Sequence, residues 1–184
     1  MSAASRGLRS VQGVAIPEFI VELRAKIGNA PLPLAGVIAV VLDERQQVLL
    51  VRRSDTGDWA LTTGCLEPGE QPAAGAVREV HEEAGIHVAV ERLLSVEALD
   101  LSVAPNGDQV YWLTVGVQCR VVRGEAHVND DESVQVGWFD PATAPPLPPH
   151  QARCLSLALS DDLSAWTPGL PEGVDDQSLS RRTI

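Results

Sequence analysis

Three glutamates at positions 79, 82 and 83, with Arg78 beside them, are the densest group in this 184-residue chain that can do chemistry. On an α-helix residues advance by roughly 100° each, so Glu79 lies one turn from both Glu82 and Glu83. Carboxylates at that spacing repel by roughly 0.2–0.5 kcal/mol per pair. Arg78, four residues before Glu82, offsets part of the repulsion. A hard divalent cation would resolve the rest, because magnesium takes oxygen donors, typically a few carboxylates together with substrate phosphates. The plain alternative is an acidic solvent face on a surface helix.

The elements that must position these groups are legible around them. The spacing predicts a helix over 72–84, with Pro72 in the first turn and Gly85 just past the end. Ala73, Ala76, Val77, Val80 and Ala84 fall on one stripe expected to pack on a sheet, with the glutamates on the far side. Ahead of the helix, Gly64, Pro68 and Gly69 make a bent loop whose backbone can approach a ligand closely. Glu70 sits where loop meets helix, within reach of Arg78.

Further out, Pro17 to Gly28 reads as a short helix, and Pro31 and Pro33 as a break. The apolar run Gly36–Leu42 is a buried strand, and Gln47–Arg53 pairs back on it as a hairpin. Trp59–Leu61 is a short strand. Strands follow near 92–100, 109–122 and 134–139, with a turn at 105–108. The proline-rich segment 141–149 is a loop before a terminal helix over His150–Leu159. This is an α/β layered domain over 34–160, with an N-terminal extension at 1–33 and a C-terminal tail at 161–184. The first fifteen residues read as loosely ordered, and the tail as either disordered or an arm that packs on a partner.

Composition excludes several classes. A net charge of -11 repels polyanions and argues against a nucleic-acid polymer as partner. A bound cation reverses the sign locally, so small phosphorylated substrates stay open. Cys65, Cys119 and Cys154 are odd in number and far apart, which predicts no disulfide framework or zinc site and fits a cytoplasmic protein. No run of about 18 apolar residues predicts a membrane span.

The segment 64–86 resembles the Nudix box, G-x5-E-x7-R-E-U-x-E-E-x-G-U with U aliphatic. Gly64, Glu70, Arg78, Glu79, Glu82, Glu83 and Gly85 match its fixed positions, and Val80 and Ile86 its aliphatic ones. The resemblance implies an α/β/α sandwich with a mixed β-sheet. It also implies Mg2+- or Mn2+-dependent hydrolysis of a nucleoside diphosphate linked to another group X. By position, Glu79, Glu82 and Glu83 look like metal ligands, with the Thr63 backbone beside the metal. Arg78 looks like the residue that orients the glutamates, and Glu70 like its ion-pair partner. Glu82 or Glu79 would be the general base, and a late-loop acid, Glu132 or Asp131, would assist. One departure stands out. Thr62-Thr63-Gly64 replaces the frequent Pro-Gly-Gly, and threonine tolerates positive φ poorly.

Arg52 and Arg53 are candidate phosphate contacts, and Trp59 a candidate base or sugar contact. Against each stands a surface or packing role. Tyr111 and Trp112 alternate on a strand, so one faces in and the other out. The competing function is a catalytically silent Nudix-like domain used for ligand sensing, which loss of box glutamates would favour. The family resemblance also implies a possible homodimer.

Overall fold

The computed structural model describes residues 9–11, 14–104 and 106–169. Its backbone is organised by β3 (Leu32–Leu42), whose residues Val37–Leu42 are all buried. Val, Ile, Leu and Ala without a polar break give that strand two apolar faces, as a central strand requires. On one side β3 runs parallel to β9 (Gln109–Arg123), from Leu32 opposite Val110 to Leu42 opposite Arg120. Beyond β9 lies β7 (His87–Ala98), antiparallel to it. On the other side, β4 (Val48–Arg53) pairs with β10 (Ser133–Phe139). The strand order is β10-β4-β3-β9-β7, a mixed sheet. Three short strands attach to it: β5 (Trp59–Ala60) to β4, β6 (Thr62–Cys65) to β3, and β8 (Ser102–Val103) to β9.

Helices cover both faces. α2 (Pro72–Ala84) packs Ala76, Val80 and Ala84 against Val37, Ala39, Val41 and Val117. α3 (Pro149–Ala158) packs Cys154, Leu155 and Ala158 against Ile38, Val40, Leu50 and Leu94 on the other face. Odd-numbered residues of β3 serve one core and even-numbered residues the other, the period of two that puts successive side chains on opposite faces. The architecture is the expected α/β/α sandwich.

Several local expectations change. The hairpin between β3 and β4 exists at one pair only, Leu42 with Val48. Further along, β6 takes the place beside β3, pairing Gly36–Ala39 with Thr62–Cys65. A two-strand reading of alternating sequence does not see a third strand that competes for the same edge. Pro33, read as a break, lies inside β3 opposite Tyr111. β6 begins its pairing only at Gly36, so at Pro33 one edge of β3 is unpaired, where proline is tolerated. β7 begins at His87, earlier than expected.

At the N-terminus, β1 (Arg9–Val11) and β2 (Val14–Ile16) pair with each other within the segment expected to be loosely ordered. α1 (Glu18–Ile27) follows as predicted, and Gly28 at φ 59° ends it. Arg24 holds this helix down. Its Nη2 donates to the Gln109 carbonyl at 2.8 Å, and its Nε lies 3.2 Å from Asp108 Oδ1. At the C-terminus the described part of the tail packs on its own domain. Trp166 donates to the Leu94 carbonyl and accepts from Val96 N–H, forming a bridge to β7, and Arg153 stacks 4.5 Å over its ring. Residues 170–184 of the expected tail lie outside the described residues.

Candidate active site

α2 carries the acidic cluster, and its two ends are fixed by the residues the pattern singles out. Pro72 stands in the first turn after Gln71, and Gly85 closes the helix at φ 69°, returning its N–H to the His81 carbonyl. A β-carbon at Gly85 would meet the His127 ring at 2.2 Å. Gly85→Ala therefore combines a left-handed backbone with a clash. Its expected cost is roughly 1–2 kcal/mol, a melting temperature lower by several degrees. Turnover per folded molecule stays near wild type, which a melt paired with a kinetic assay measures.

Arg78 is the hub. Its Nε and Nη2 grip Glu70 at 2.9 Å each, a two-pronged pair. Its Nη1 donates to Glu79 Oε1 at 2.8 Å and Glu82 Oε2 at 2.9 Å, and its Nη2 also reaches the Cys65 carbonyl at 3.2 Å. The Glu70 bond holds that carboxyl below the usual range and raises the guanidinium further. Loop, strand β6 and helix are thus tied through one planar group.

The three glutamates do not share one exposed face. Glu82 is exposed, Glu79 half-buried, and Glu83 is 6% exposed. Glu83 follows Val80 by three residues and Ala76 by seven, which returns it to the packed side of the helix. Ala73, assigned to the packing stripe, is exposed, and Gly75 is buried against Leu66 instead. Burial pushes Glu79 up to about 7, with Glu82 and Glu132 adding to the rise and Arg78 opposing it. Burial, then the Glu79 charge, raises Glu83 well above the ordinary range. Glu83 Oε2 is buried with no partner at hydrogen-bond distance; the Thr62 hydroxyl, buried and likewise unpaired, is near enough to offset only part of the rise.

Gly64 is the point of closest approach. A β-carbon there would fall 1.8 Å from Glu79 Cδ, so only glycine lets the β6 backbone lie against that carboxylate. Thr62 and Thr63 sit in extended β6, opposite Ala39 and Ile38. Gln46 is the non-glycine residue with positive φ among the described residues, so the Thr-Thr-Gly departure needs no left-handed threonine.

A cleft of about 1340 Å3 opens at this cluster, lined at its acidic end by Thr63, Gly64, Glu79, Glu82 and Glu132. Asp130 lines it too, while Asp131 does not. Arg53 lines it and is paired with Asp55 at 2.6 Å. Arg52 does not line it; its Nε donates to the Gly57 carbonyl and its Nη1 to Gln135 Oε1. Trp59 also stands away from the cleft, edge-on to Phe139 at 4.7 Å. Of the alternating pair, Trp112 lines the cleft and Tyr111 is exposed. Sequence reasoning did not choose between them. The parallel register of β3 and β9 decides it, and no local pattern carries that register.

Hard oxygen donors around a desolvated pocket suit a divalent cation, and the unpartnered Glu83 Oε2 is an oxygen that lacks its counter-charge. Among the described residues no three acidic, His or Cys side chains already converge on one point. Arg78 Nη1 holds Glu79 Oε1 and Glu82 Oε2, which leaves the other oxygen of each carboxylate outside those bonds and available to a cation. Cys65, Cys119 and Cys154 are all free, and among the described residues no helix is long and apolar enough to cross a membrane.

A mixed sheet between helical layers, with a glycine-bounded acidic helix at the mouth of a cleft, defines the scaffold. The profile of the NUDIX domain matches residues 32–157, and the chain belongs to that family. It is 46% identical over 117 residues to the MutT-like protein of Streptomyces ambofaciens, covering 61% of this chain and 68% of that protein. It is 37% identical over 137 residues to the 8-oxo-dGDP phosphatase NUDT18 of Homo sapiens, covering 67% of this chain. The chain spans 39% of that human relative's length. A solved ADP-ribose pyrophosphatase from Streptococcus suis is 26% identical with a TM-score of 0.58, covering 74% of this chain and 100% of that one.

Proposed function

We propose that this chain is a divalent-cation-dependent pyrophosphohydrolase acting on a nucleoside diphosphate linked to a further group. The observation that carries this reading is the close approach of the Gly64 backbone to Glu79 at the acidic end of the cleft, with Glu83 buried behind that lining and one of its oxygens without a hydrogen-bond partner. Glu79, Glu82 and Glu83, with the Thr63 carbonyl, would hold Mg2+ or Mn2+. The cation, when bound, neutralises pyrophosphate charge and lowers the pKa of water. Arg78 orients the carboxylates from its anchor on Glu70. Water attacks phosphorus, the bond to the leaving phosphate oxygen breaks, and a carboxylate oxygen of Glu82 or Glu79 takes the water's proton. Glu132 also lines the cleft and adds negative charge near Glu79. Substrate is a small nucleotide derivative in a cytoplasmic setting. The names of relatives put oxidised guanine nucleotides first among those to try.

The test is Mg2+-dependent release of phosphate or nucleoside monophosphate from a nucleotide panel. Turnover on at least one member is expected, and binding without turnover on any member overturns the reading. Proton competition gives a second readout. A cation needs carboxylates that have lost their protons, and Glu79 is held at about 7. The gain in melting temperature on adding Mg2+ is therefore expected to grow from about pH 6 to about pH 8. A gain that shrinks over that range removes these carboxylates as ligands.

A further inference from the structure

The acidic cluster occupies one end of a cleft far larger than a pyrophosphate needs. Ligand pockets for whole small molecules run to roughly 300–1,000 Å3, and this one reaches about 1340 Å3. Its far end is built from residues that precede the NUDIX match at 32–157: Phe19, Ile20 and Arg24 of α1 line it. Between the two ends lies the indole of Trp112.

The position of that indole has a specific cause. Trp112 stands opposite Leu34 in the parallel pair, and its carbonyl is tied to Leu99 N–H at 2.8 Å. Its ring extends across Gly36. A β-carbon at Gly36 would lie 3.1 Å from Trp112 Cε3 and 3.3 Å from the Gly64 carbonyl oxygen. The ring edge and the Gly64 carbonyl therefore flank the same gap beside Gly36, and Gly64 is the residue packed against Glu79. Gly36 has no side chain, and that leaves the space the ring edge takes. α1 is fixed across the cleft by the Arg24 bonds to Gln109 and Asp108 at the start of the same strand β9.

We propose that Trp112 is a specificity-determining residue, a stacking platform for the purine base of the nucleotide, and that α1 is the wall that confines that base. The proposal rests on the nucleotide reading above. It assigns the base to the middle of the cleft, with the diphosphate pointing from Trp112 past Gly64 to the acidic end. Arg24 is a positioning residue that acts by holding α1 to the start of β9.

Equilibrium titration calorimetry on the full chain with Mg2+ tests this, using ADP, GDP and inorganic pyrophosphate as probes. Trp112→Leu is expected to weaken ADP and GDP by on the order of tenfold or more, the worth of one base stacked on an aromatic ring. Pyrophosphate affinity stays unchanged, which also shows that the variant is folded. Trp112→Phe, which keeps a ring, is expected to retain affinity within a few-fold. Arg24→Ala is expected to weaken ADP and GDP several-fold with pyrophosphate unchanged. Where the variant is active, KM rises and kcat holds. Equal loss of all three probes in Trp112→Leu, or no loss of any, overturns the platform. Unchanged ADP and GDP affinity in Arg24→Ala removes α1 from the proposal. Selective loss of the nucleotides in a protein that turns over no member of the panel upholds this inference and sinks the hydrolase reading alone.

Discussion

Glu83→Gln is expected to cost about a hundredfold or more in turnover and, in metal-free buffer, to raise the melting temperature. The two effects come from one fact: Glu83 is 6% exposed and its Oε2 has no partner. A buried polar group without a partner costs roughly 1–3 kcal/mol, more when charged. Glutamine keeps the shape and removes the charge. The sign with pH follows. Burial holds the Glu83 carboxyl well above its ordinary range, so folding favours its protonated form. That contribution is fully present below the ordinary carboxylate range and is lost as pH rises toward the raised folded value. The variant lacks this loss, so its advantage over wild type grows from about pH 5 to about pH 8, reaching a few degrees. In Mg2+ the order reverses, because only wild type gains from the cation. Changing a residue that merely orients a metal ligand typically costs 10–100-fold, and a ligand itself should cost at least the upper figure. A calorimetric melt with and without Mg2+, paired with the panel assay, measures both. Full activity in Glu83→Gln would remove the ligand assignment, and a lower metal-free melting temperature would remove the account of its burial.

Gly64→Ala is the second large effect, and it reverses the usual expectation for a glycine in a strand. The new methyl would stand 1.8 Å from Glu79 Cδ and 1.9 Å from its Oε1. Those atoms are the end of a flexible side chain, so the fold yields by swinging the carboxylate away. Gly64 does not lie in the left-handed region, so alanine adds no backbone strain. Stability should change by less than about 1 kcal/mol. Activity should fall by about a hundredfold, the typical consequence of misplacing a reacting group by about 1 Å. A variant that melts like wild type and is nearly inactive is the expected outcome. One that keeps its activity would show that Glu79 is not needed where the structure puts it.

The helix and its ends were legible from spacing alone, because Pro72 and Gly85 act locally and each has one physical role there. Arg78 and Glu70 were legible as a pair for a related reason: eight residues separate them, and the bent loop between brings them together. The burial of Glu83 was not. Spacing from Val80 and Ala76 puts Glu83 at the border of the packed stripe, and only the docking of β6 on α2, which brings Thr62 beside the carboxylate, closes that border. The same holds for Trp112 against Tyr111. Alternation says that one faces in, and only the long-range pairing of β3 with β9 says which. Arg52 and Trp59 show the reverse error. They are near the site in sequence, yet β4 and β5 direct them to Gly57, Gln135 and Phe139.

The bridge between Trp166 and β7 bears on how this molecule meets others of its kind. β7 is the last strand in the order β10-β4-β3-β9-β7, and the exposed backbone of a terminal strand invites a strand from another molecule. Here the main chain of Trp166 takes the Leu94 carbonyl and the Val96 amide, and Arg153 clamps the indole from above. The chain's own tail therefore occupies the middle of that rim. Addition of a strand from another molecule is closed off at that stretch of β7.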